Sequence, residues 1–317
     1  MITLYRPSGY DSPRASSFAG RSVDDKPLDV ENGSSFKEID TGRVFRYDKE
    51  NNIWIEQKST TGGTGATEPY IEETYDADGN LIEAKLYGYK KVRDYAFYGC
   101  SNLALTSLPE GLTSIGNSAF VGCTSLALTS LPAGVTSIGI EAFVNCTSLA
   151  LTSLPEGLTS IGNGAFAGCS NLALTSLPEG LTSIGNSAFV GCTSLALTSL
   201  PAGVTSIGNS AFYGCSNLAL TSLPAGVTSI GNDTFVNCTS LALTSLPESL
   251  TSIGRYAFSG CTRLTSITFK GTPTIIESSA FDGCTNLTDI KVPWAEGAVS
   301  GAPWGATNAT ITYNYTE

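Results

Sequence analysis

A fixed interval of 23 residues separates each cysteine in the chain from the next. Phenylalanines keep the same interval from Phe97 to Phe281, and so does an aliphatic series that runs from Val92 through Ile115 to Ile276. The cysteines are Cys100, Cys123, Cys146, Cys169, Cys192, Cys215, Cys238, Cys261 and Cys284. Self-similarity at a period of this size predicts a stacked-repeat architecture.

One repeat unit consists of short apolar pieces interrupted by proline and glycine, with neither the period of a strand nor that of a helix. This pattern predicts a coil of chain with one strand at Leu103–Leu108 and another near Leu112–Ile115. Gly116 and Gly122 are expected at corners that need a positive φ. Because a single coil cannot bury its inward side chains, identical coils must stack. The predicted fold is mainly β, a solenoid of about nine coils.

The cysteines form one line in such a stack, which predicts a core ladder. Coils about 4.8 Å apart bring adjacent cysteines within the Cα distance of a disulfide, but the side chains point the same way and their number is odd. We therefore expect reduced thiols that act as small core hydrophobes. A metal site is disfavoured because no Cys-x-x-Cys pair occurs, and a reactive thiolate because no Lys, Arg or His lies between Arg93 and Arg255.

Histidine is absent, and 28 acidic residues against 17 basic ones give a net charge of −11. The missing histidine excludes Ser-His-Asp and Cys-His catalysis and imidazole metal sites. The acidic balance disfavours nucleic acid and anionic membranes as partners, and no segment has the roughly 18 apolar residues of a membrane span. The one conceivable acid–base pair is Asp76 with Asp78. We therefore predict no enzyme activity, no cofactor and no metal site.

Residues 1–58 form a separate module, since they hold 9 of the 17 basic side chains. Three short strands are predicted there, at Ser35–Ile39, Arg43–Tyr47 and Ile53–Ile55. A module of this size is marginal alone, so we expect it to pack against copies of itself in a homo-oligomer or against a larger assembly. Residues 59–69 are predicted to be a flexible linker. The candidate anchoring residues are the aromatic side chains Phe36, Phe45, Tyr47 and Trp54.

A hairpin is predicted at residues 70–90, with Asp76–Asn80 at its tip. Alternating carboxylates can begin a calcium loop, but the ligand spacing and closing Glu of an EF-hand are missing. Asp-Gly between apolar strands is a common turn, so we predict a turn. The hairpin is expected to cap the first coil, whose open edge would otherwise promote aggregation.

The closing segment, residues 290–317, is predicted to cap the last coil. Thr310–Tyr315 alternates like a terminal strand. Trp294 and Trp304 also fall in this segment. We expect them to cover the exposed end of the core, with a sugar-stacking platform as the alternative.

The repeat Leu-x5-Pro-x2-Leu/Val-x2-Ile-Gly-x2-Ala-Phe-x2-Cys-x2-Leu resembles the BspA-like leucine-rich repeat, which is found in bacterial surface proteins, phage proteins and some protists. The resemblance covers about residues 90–292. It implies a leucine-rich-repeat solenoid, which we place at residues 91–289. Seven copies carry Thr where that family has an aliphatic residue three after the first Leu, and only Ile267 and Ile290 restore it. We expect Leu105 and its equivalents to take over the inward role.

A second, looser resemblance links both ends of the chain to tailed bacteriophages. The run Asp24–Asp48 with Trp54 is similar to a short N-terminal module of virion proteins. The segments Val292–Gly297 and Ala302–Thr310 are similar to the ends of phage and prophage repeat proteins. The resemblance implies that residues 1–58 attach the protein to other virion structural proteins.

The outward positions of the repeats are Thr, Ser, Ala and Asn, so the solenoid surface is nearly neutral. A strip of hydroxyl groups on this surface can hydrogen-bond glycans, and the alternative is a blank spacer whose hydroxyls are merely solvated. The candidate surface contacts are Thr106, Ser107, Thr129, Ser130, Thr152, Ser153, Thr175, Thr198, Thr221 and Thr244.

These features together predict a bacteriophage virion structural protein, either a head fibre or a tail fibre. Its N-terminal module would attach to the particle, and its repeat arm would project to contact the host surface, with a host glycan as the candidate partner. Arg6 and Pro7 stand where a signal peptide needs an apolar run, so Sec-type export is not expected and the predicted location is the virion. The alternative is a bacterial cell-surface BspA-like adhesin, which requires export.

Overall fold

The structure, a computed structural model, describes residues 70–316 and the backbones of five strands within residues 1–69. The predicted linker at residues 59–69 lies outside the described residues. The chain divides into two compact units, Met1–Tyr89 and Lys90–Glu317. Each unit is described separately below.

The first unit contains a five-stranded sheet in the order β1-β2-β3-β4-β5. β2 and β3 are parallel, and the other neighbours are antiparallel. The three predicted strands are confirmed as β3, β4 and β5, whereas the first two strands were missed because their short sequences show no alternation. The strands are β1 (Thr3–Tyr5), β2 (Ser17–Gly20), β3 (Ser35–Glu38), β4 (Val44–Asp48) and β5 (Ile53–Gln57).

A hairpin of β6 (Tyr70–Tyr75) and β7 (Leu81–Tyr87) follows in the same unit. Asp76 organises its tip, because its Oδ1 accepts hydrogen bonds from the backbone N–H groups of Asp78 at 3.0 Å and Asn80 at 2.8 Å. Gly79 takes a positive φ of 82°. The predicted turn is confirmed, and the Asp76 carboxylate is used as an Asx-turn acceptor. The capping role of the hairpin stays a prediction.

The second unit is a stack of coils joined by short parallel strands. Neighbouring strands pair in register with an offset of 23 residues, as in Ser137 opposite Ser114. The predicted strand near Leu112–Ile115 is confirmed but has only two residues. The strands are β8 (Lys91–Val92), β9 (Ser114–Ile115), β10 (Ser137–Ile138), β11 (Ser160–Ile161), β12 (Ser183–Ile184), β13 (Ser206–Ile207), β14 (Ser229–Ile230), β15 (Ser245–Leu246), β16 (Ser252–Ile253), β17 (Ser266–Phe269), β18 (Ile275–Ile276), β19 (Asp289–Lys291) and β20 (Thr310–Thr312).

The predicted strand at Leu103–Leu108 is wrong. A regular strand occurs at the equivalent place only from β15 onward. The reason is the inward pattern: Leu103, Leu105 and Leu108 are buried, and two successive outward residues separate the last two of them. This break in alternation is incompatible with a pleated strand. In β17 the inward residues Ile267 and Phe269 alternate, so a strand forms. The expectation that Leu105 takes the inward role is confirmed.

A ladder of phenylalanines fills the centre of the solenoid. Successive rings from Phe97 to Phe281 stack with centroids 5.1 to 5.6 Å apart and nearly parallel planes. Every ring in the series is buried. Burial of a phenylalanine side chain contributes roughly 1.5–3 kcal/mol, so this ladder is a main source of the coil-to-coil cohesion.

The two glycine corners have different physical reasons. Gly122 has a φ of 72°, as predicted. Some coils carry Asn145 or Asn237 at that place with φ near 58°, which asparagine tolerates better than most residues. The expectation for Gly116 is wrong, because its φ is not positive; a Cβ there would lie 2.5 Å from the backbone N of Asp94 in the preceding coil. Gly116 is therefore required by close approach of two coils.

The C-terminal segment adds the last strand to the stack of coils. β20 pairs in parallel with β19, which confirms the predicted terminal strand. Trp294 and Trp304 are buried, and the indole N–H of Trp304 donates to the carbonyl of Ser300 at 2.8 Å. Because both indoles are buried, they cannot form the sugar-stacking platform that was the alternative, and the capping role of residues 290–317 stays a prediction. Among the described residues, no helix is long and apolar enough to cross a membrane.

Candidate functional site

The cysteine ladder lies in the core, directly beside the phenylalanines. Eight thiols, from Cys123 to Cys284, are buried, whereas Cys100 in the first coil is only partly covered. Each buried Sγ donates to the carbonyl of the phenylalanine 26 residues earlier, at 3.0 to 3.1 Å. None of the nine cysteines forms a disulfide. The thiols therefore act as core side chains that link adjacent coils.

Burial also suppresses ionisation of six of these thiols. Loss of hydration raises the pKa of Cys238 and of Cys284 to about 12. Burial likewise raises the pKa of Cys146, Cys192, Cys215 and Cys261 above the usual value. A thiol is nucleophilic or metal-binding only as a thiolate, so these six thiols have no reactive character near neutral pH. No cluster of metal-ligating side chains is present among the residues that the structure describes.

Two lines of hydroxyl groups on the solenoid surface are used to hold the coils together. In the first line, a threonine hydroxyl donates to the backbone carbonyl 23 residues earlier, as Thr182 does to Thr159 at 3.1 Å. The same bond recurs at Thr113, Thr136, Thr251 and Thr274. The second line repeats the arrangement at Thr124, Thr147, Thr193, Ser216 and Thr239.

The predicted surface contacts form a third line, here called the Thr–Ser strip. Its members are all exposed and fall on consecutive coils. Within the described residues, none of their hydroxyls takes part in a side-chain hydrogen bond, in contrast to the other two lines. The strip comprises Thr106, Ser107, Thr129, Ser130, Thr152, Ser153, Thr175, Thr198, Thr221 and Thr244. The structure thus brings these candidate residues together on one face, with their hydroxyls available to solvent.

The four predicted anchoring residues lie in neighbouring strands of the N-terminal sheet. Phe36 of β3 is opposite Phe45 of β4, and Tyr47 of β4 is opposite Trp54 of β5. The backbone therefore places all four on three adjacent strands. Their side chains lie outside the described residues.

A shallow groove over β8, β9 and β10 was missed by the sequence reasoning. It has a volume of about 560 Å³ and is lined by Lys91, Arg93, Asp94, Ser114, Gly116, Asn117, Ser137 and Gly139, with the two strand aliphatics beneath. A second groove of about 450 Å³ begins at Ile140 and continues along β11, β12 and β13. The recurring Ser-Ile-Gly-Asn segment is the sequence signal that marks both grooves.

The floor of these grooves is fixed by glycines that pack on the preceding coil. A Cβ at Gly139 would lie 2.5 Å from the backbone N of Asn117. Beside the glycines, the Oδ1 of Asn163 accepts a hydrogen bond from the N–H of Asn186 at 2.8 Å, and similar bonds continue the line. Ile140 interrupts the asparagines and leaves 49 % of its surface exposed. Beyond the first coil, the residues that line the grooves are uncharged.

Comparison with known proteins connects this geometry to a family. The BspA type leucine rich repeat region matches residues 90–219 and 205–296, which together are well over half of the chain. No curated protein matches the chain.

Several solved structures are similar. A leucine-rich repeat protein from Bacteroides ovatus is 25 % identical over 71 % of this chain and 76 % of its own, with a TM-score of 0.42. The T. pallidum leucine-rich repeat protein is 33 % identical over 61 % and 87 %, with a TM-score of 0.43. A leucine-rich cell surface protein from Faecalibacterium prausnitzii is 25 % identical over 92 % and 96 %, with a TM-score of 0.44. On the match over residues 90–296, this chain belongs to the BspA-type leucine-rich repeat family.

Proposed function

We propose that this protein is a non-enzymatic attachment protein whose repeat arm contacts carbohydrate on a cell surface. The observation that carries the proposal is the difference between the three hydroxyl lines. In each of the two other lines, five hydroxyls bond the preceding coil, whereas within the described residues the Thr–Ser strip presents exposed hydroxyls on consecutive coils with no such bond. Exposed hydroxyls that make no bond within the described residues can both donate to and accept from the hydroxyl groups of a glycan.

The charge of the arm also favours a neutral ligand. After Asp94 and before Arg255, its ionisable acidic residues are Glu110, Glu141, Glu156, Glu179, Asp233 and Glu248, with no Lys or Arg. Protein interfaces usually draw much of their energy from Trp, Tyr and Arg side chains at the centre of the contact. The strip consists only of Thr and Ser. A glycan is therefore the class of ligand that the strip fits best.

The structure to which the repeat arm is attached, a phage particle or a cell surface, is proposed from the sequence. The resemblance of the N-terminal module to virion proteins supports attachment of residues 1–58 to a tailed-phage particle, while membership of the BspA-type family supports the alternative of a cell-surface adhesin. In either setting we propose that the module assembles as a homo-oligomer. β1 and β5 are the edges of its described sheet, and sheet edges readily pair with another chain.

Immunogold electron microscopy on an induced culture of the source tests the location. With antibody against the solenoid, we expect gold on virions if the arm is a fibre. Labelled cell envelopes without labelled particles would replace the virion with the adhesin and leave the attachment role intact. Absence of label from both kinds of surface would contradict the proposal.

Removal of hydroxyls from the strip tests the contact. The triple variant Thr152→Val, Thr175→Val and Thr198→Val keeps side-chain shape but loses three free hydroxyls. Since a hydrogen bond contributes about 0.5–1.5 kcal/mol, we expect binding to host-surface glycan to weaken about tenfold or more. Binding is measured with intact protein on immobilised glycans extracted from the host surface.

The matched control uses threonines whose hydroxyls are already bonded within the solenoid. Thr182→Val, Thr251→Val and Thr274→Val should lower the melting temperature and leave glycan binding unchanged. Equal binding by the wild type and the strip variant would show that the strip is only a solvated spacer.

A further inference from the structure

The groove over β8, β9 and β10 differs from the rest of the arm because one end of it is basic. Lys91 pairs in register with Ser114, and Ser114 with Ser137, so the lysine stands where the next coils have serine. Two residues later, Arg93 stands where the next coils have Gly116 and Gly139. Both cations are exposed and line the groove. The long side chains of Lys91 and Arg93 therefore lie at one end of the groove, whose floor contains Gly116 and Gly139.

Within the described residues, these cations have no counter-ion. Neither Lys91 nor Arg93 forms an ion pair or a side-chain hydrogen bond in the part of the chain that the structure describes. The carboxylate that lines the groove belongs to Asp94 and is already occupied. Its Oδ1 accepts from the backbone N–H of Asn117 at 2.7 Å, and its Oδ2 lies 3.4 Å from the amide nitrogen of Asn117. In a protein of net charge −11, an unpaired Lys–Arg pair marks a local preference for an anion.

Beyond this end, the groove suits a neutral chain. The hydroxyls of Ser114 and Ser137 make no side-chain hydrogen bond within the described residues and line the wall. The next groove begins at Ile140, whose half-exposed aliphatic side chain offers an apolar contact. No further Lys or Arg follows until Arg255. A polyanion could therefore pair only one of its anionic groups with Lys91 and Arg93. A neutral chain with one terminal acidic group would place that group beside the two cations and its neutral part along the uncharged remainder of the groove.

We propose that this groove, named here the Arg93 groove, binds the end of a glycan whose terminal sugar carries a carboxylate. The guanidinium of Arg93 is matched to a carboxylate by two parallel N–H donors, and Lys91 adds a second positive charge. The neutral sugars that follow lie along Ser114 and Ser137, with an apolar sugar face against Ile140. The inference rests on the proposed carbohydrate-binding role, but it uses a different surface from the Thr–Ser strip.

The test compares two matched probes on the intact protein. The acidic probe is 3′-sialyllactose, and lactose is the neutral match. By isothermal titration at low salt we expect the acidic sugar to bind about tenfold more tightly, because its carboxylate accepts charge-assisted hydrogen bonds that lactose cannot form. The advantage should fall as salt is raised, since the site is exposed. Equal affinity for the two probes would overturn the proposal.

Charge removal locates the site. Arg93→Gln should abolish most of the advantage of the acidic sugar and Arg93→Glu all of it, without loss of thermal stability because the residue is exposed. Arg263→Gln, at an exposed arginine outside the groove, is the matched control and should retain it. If the Arg93→Glu variant still bound 3′-sialyllactose more tightly than lactose, the site would not be at Arg93. If polyphosphate bound more tightly than 3′-sialyllactose and also lost its binding in Arg93→Glu, the ligand would not be an acidic sugar.

The strip variant separates this inference from the proposed function. The triple substitution at Thr152, Thr175 and Thr198 should leave the advantage of 3′-sialyllactose over lactose unchanged. Loss of that advantage in the strip variant would place the acidic sugar on the strip and overturn the Arg93 groove. Conversely, if the strip substitutions left glycan binding unchanged while the Arg93 substitutions removed the preference for 3′-sialyllactose, only the proposed contact at the strip would be refuted.

Discussion

Raising the pH above about 9 should unfold the solenoid steeply, because six buried thiols have a raised pKa in the folded chain. They are Cys146, Cys192, Cys215, Cys238, Cys261 and Cys284. In the unfolded chain each thiol ionises near its ordinary pKa of 9.0. Burial in the core keeps the same thiol protonated to higher pH. Between pH 9 and the raised pKa of the folded thiols, ionisation of the thiols therefore lowers the free energy of the unfolded state only.

The sign and size of the effect follow from proton linkage. Below pH 9 both states hold the thiol protons, so stability does not depend on them. Above pH 9 the unfolded state binds fewer protons, and the free energy of unfolding falls by about 1.4 kcal/mol per pH unit for each thiol. If the coils unfold together, the six thiols lower it by about 8 kcal/mol per pH unit until the folded thiols begin to ionise. That slope is comparable with the whole stability of an ordinary domain.

Urea denaturation followed by circular dichroism at pH 8, 9, 10 and 10.5, in reducing buffer, measures this slope. The variant Cys192→Ala with Cys215→Ala is the control, since it removes two of the six ionising groups. Its stability at pH 8 should be somewhat lower, but its loss with rising pH should be about 3 kcal/mol per pH unit smaller. A stability that is level between pH 9 and 10.5 would mean that the thiols ionise inside the folded coils.

The same ladders explain why much of this fold is predictable from sequence. Cys192, Phe189 and Ile184 have the same neighbours in the coils above and below, because each contacts its own equivalents 23 residues away. One register therefore fixes burial for every coil. The predicted strand at Leu103–Leu108 failed because Leu105 and Leu108 both face inward with two outward residues between them, a spacing that breaks the alternation of a strand.

The candidate sites depend on distances between atoms of neighbouring coils, which cannot be read from the repeat pattern. Exposure of Thr152 follows from the inward set, but whether a hydroxyl is free depends on which backbone carbonyl the next coil places beside it. Thr182 and Thr175 have similar sequence surroundings, yet only Thr182 bonds the coil before it. The Arg93 groove was missed because Gly116 was assigned to a turn, whereas its role is to let two coils approach.

Close approach of coils predicts a large effect from one methyl group. Gly185→Ala should destabilise the solenoid by about 3 kcal/mol or more, because the new Cβ would lie 2.7 Å from the backbone N of Asn163 and 2.8 Å from the carbonyl carbon of Gly162. Both contacts are with backbone, which no side-chain rotation can relieve. Separation of the coils there would also weaken the bond from the N–H of Gly185 to the carbonyl of Ile161, now 2.9 Å.

Gly180 in the same coil is the matched control. A Cβ there meets the carbonyl oxygens of Glu156 and Leu158 at 3.8 Å, an ordinary contact, and its φ is not positive. Gly180→Ala should therefore be neutral or stabilising by about 0.4–1 kcal/mol, since alanine restricts the unfolded chain. Urea midpoints of the two variants at pH 7 give the comparison. Equal midpoints would show that the coils have room to separate at Gly185, and the spacing of the groove floor would then be set by the phenylalanine ladder alone.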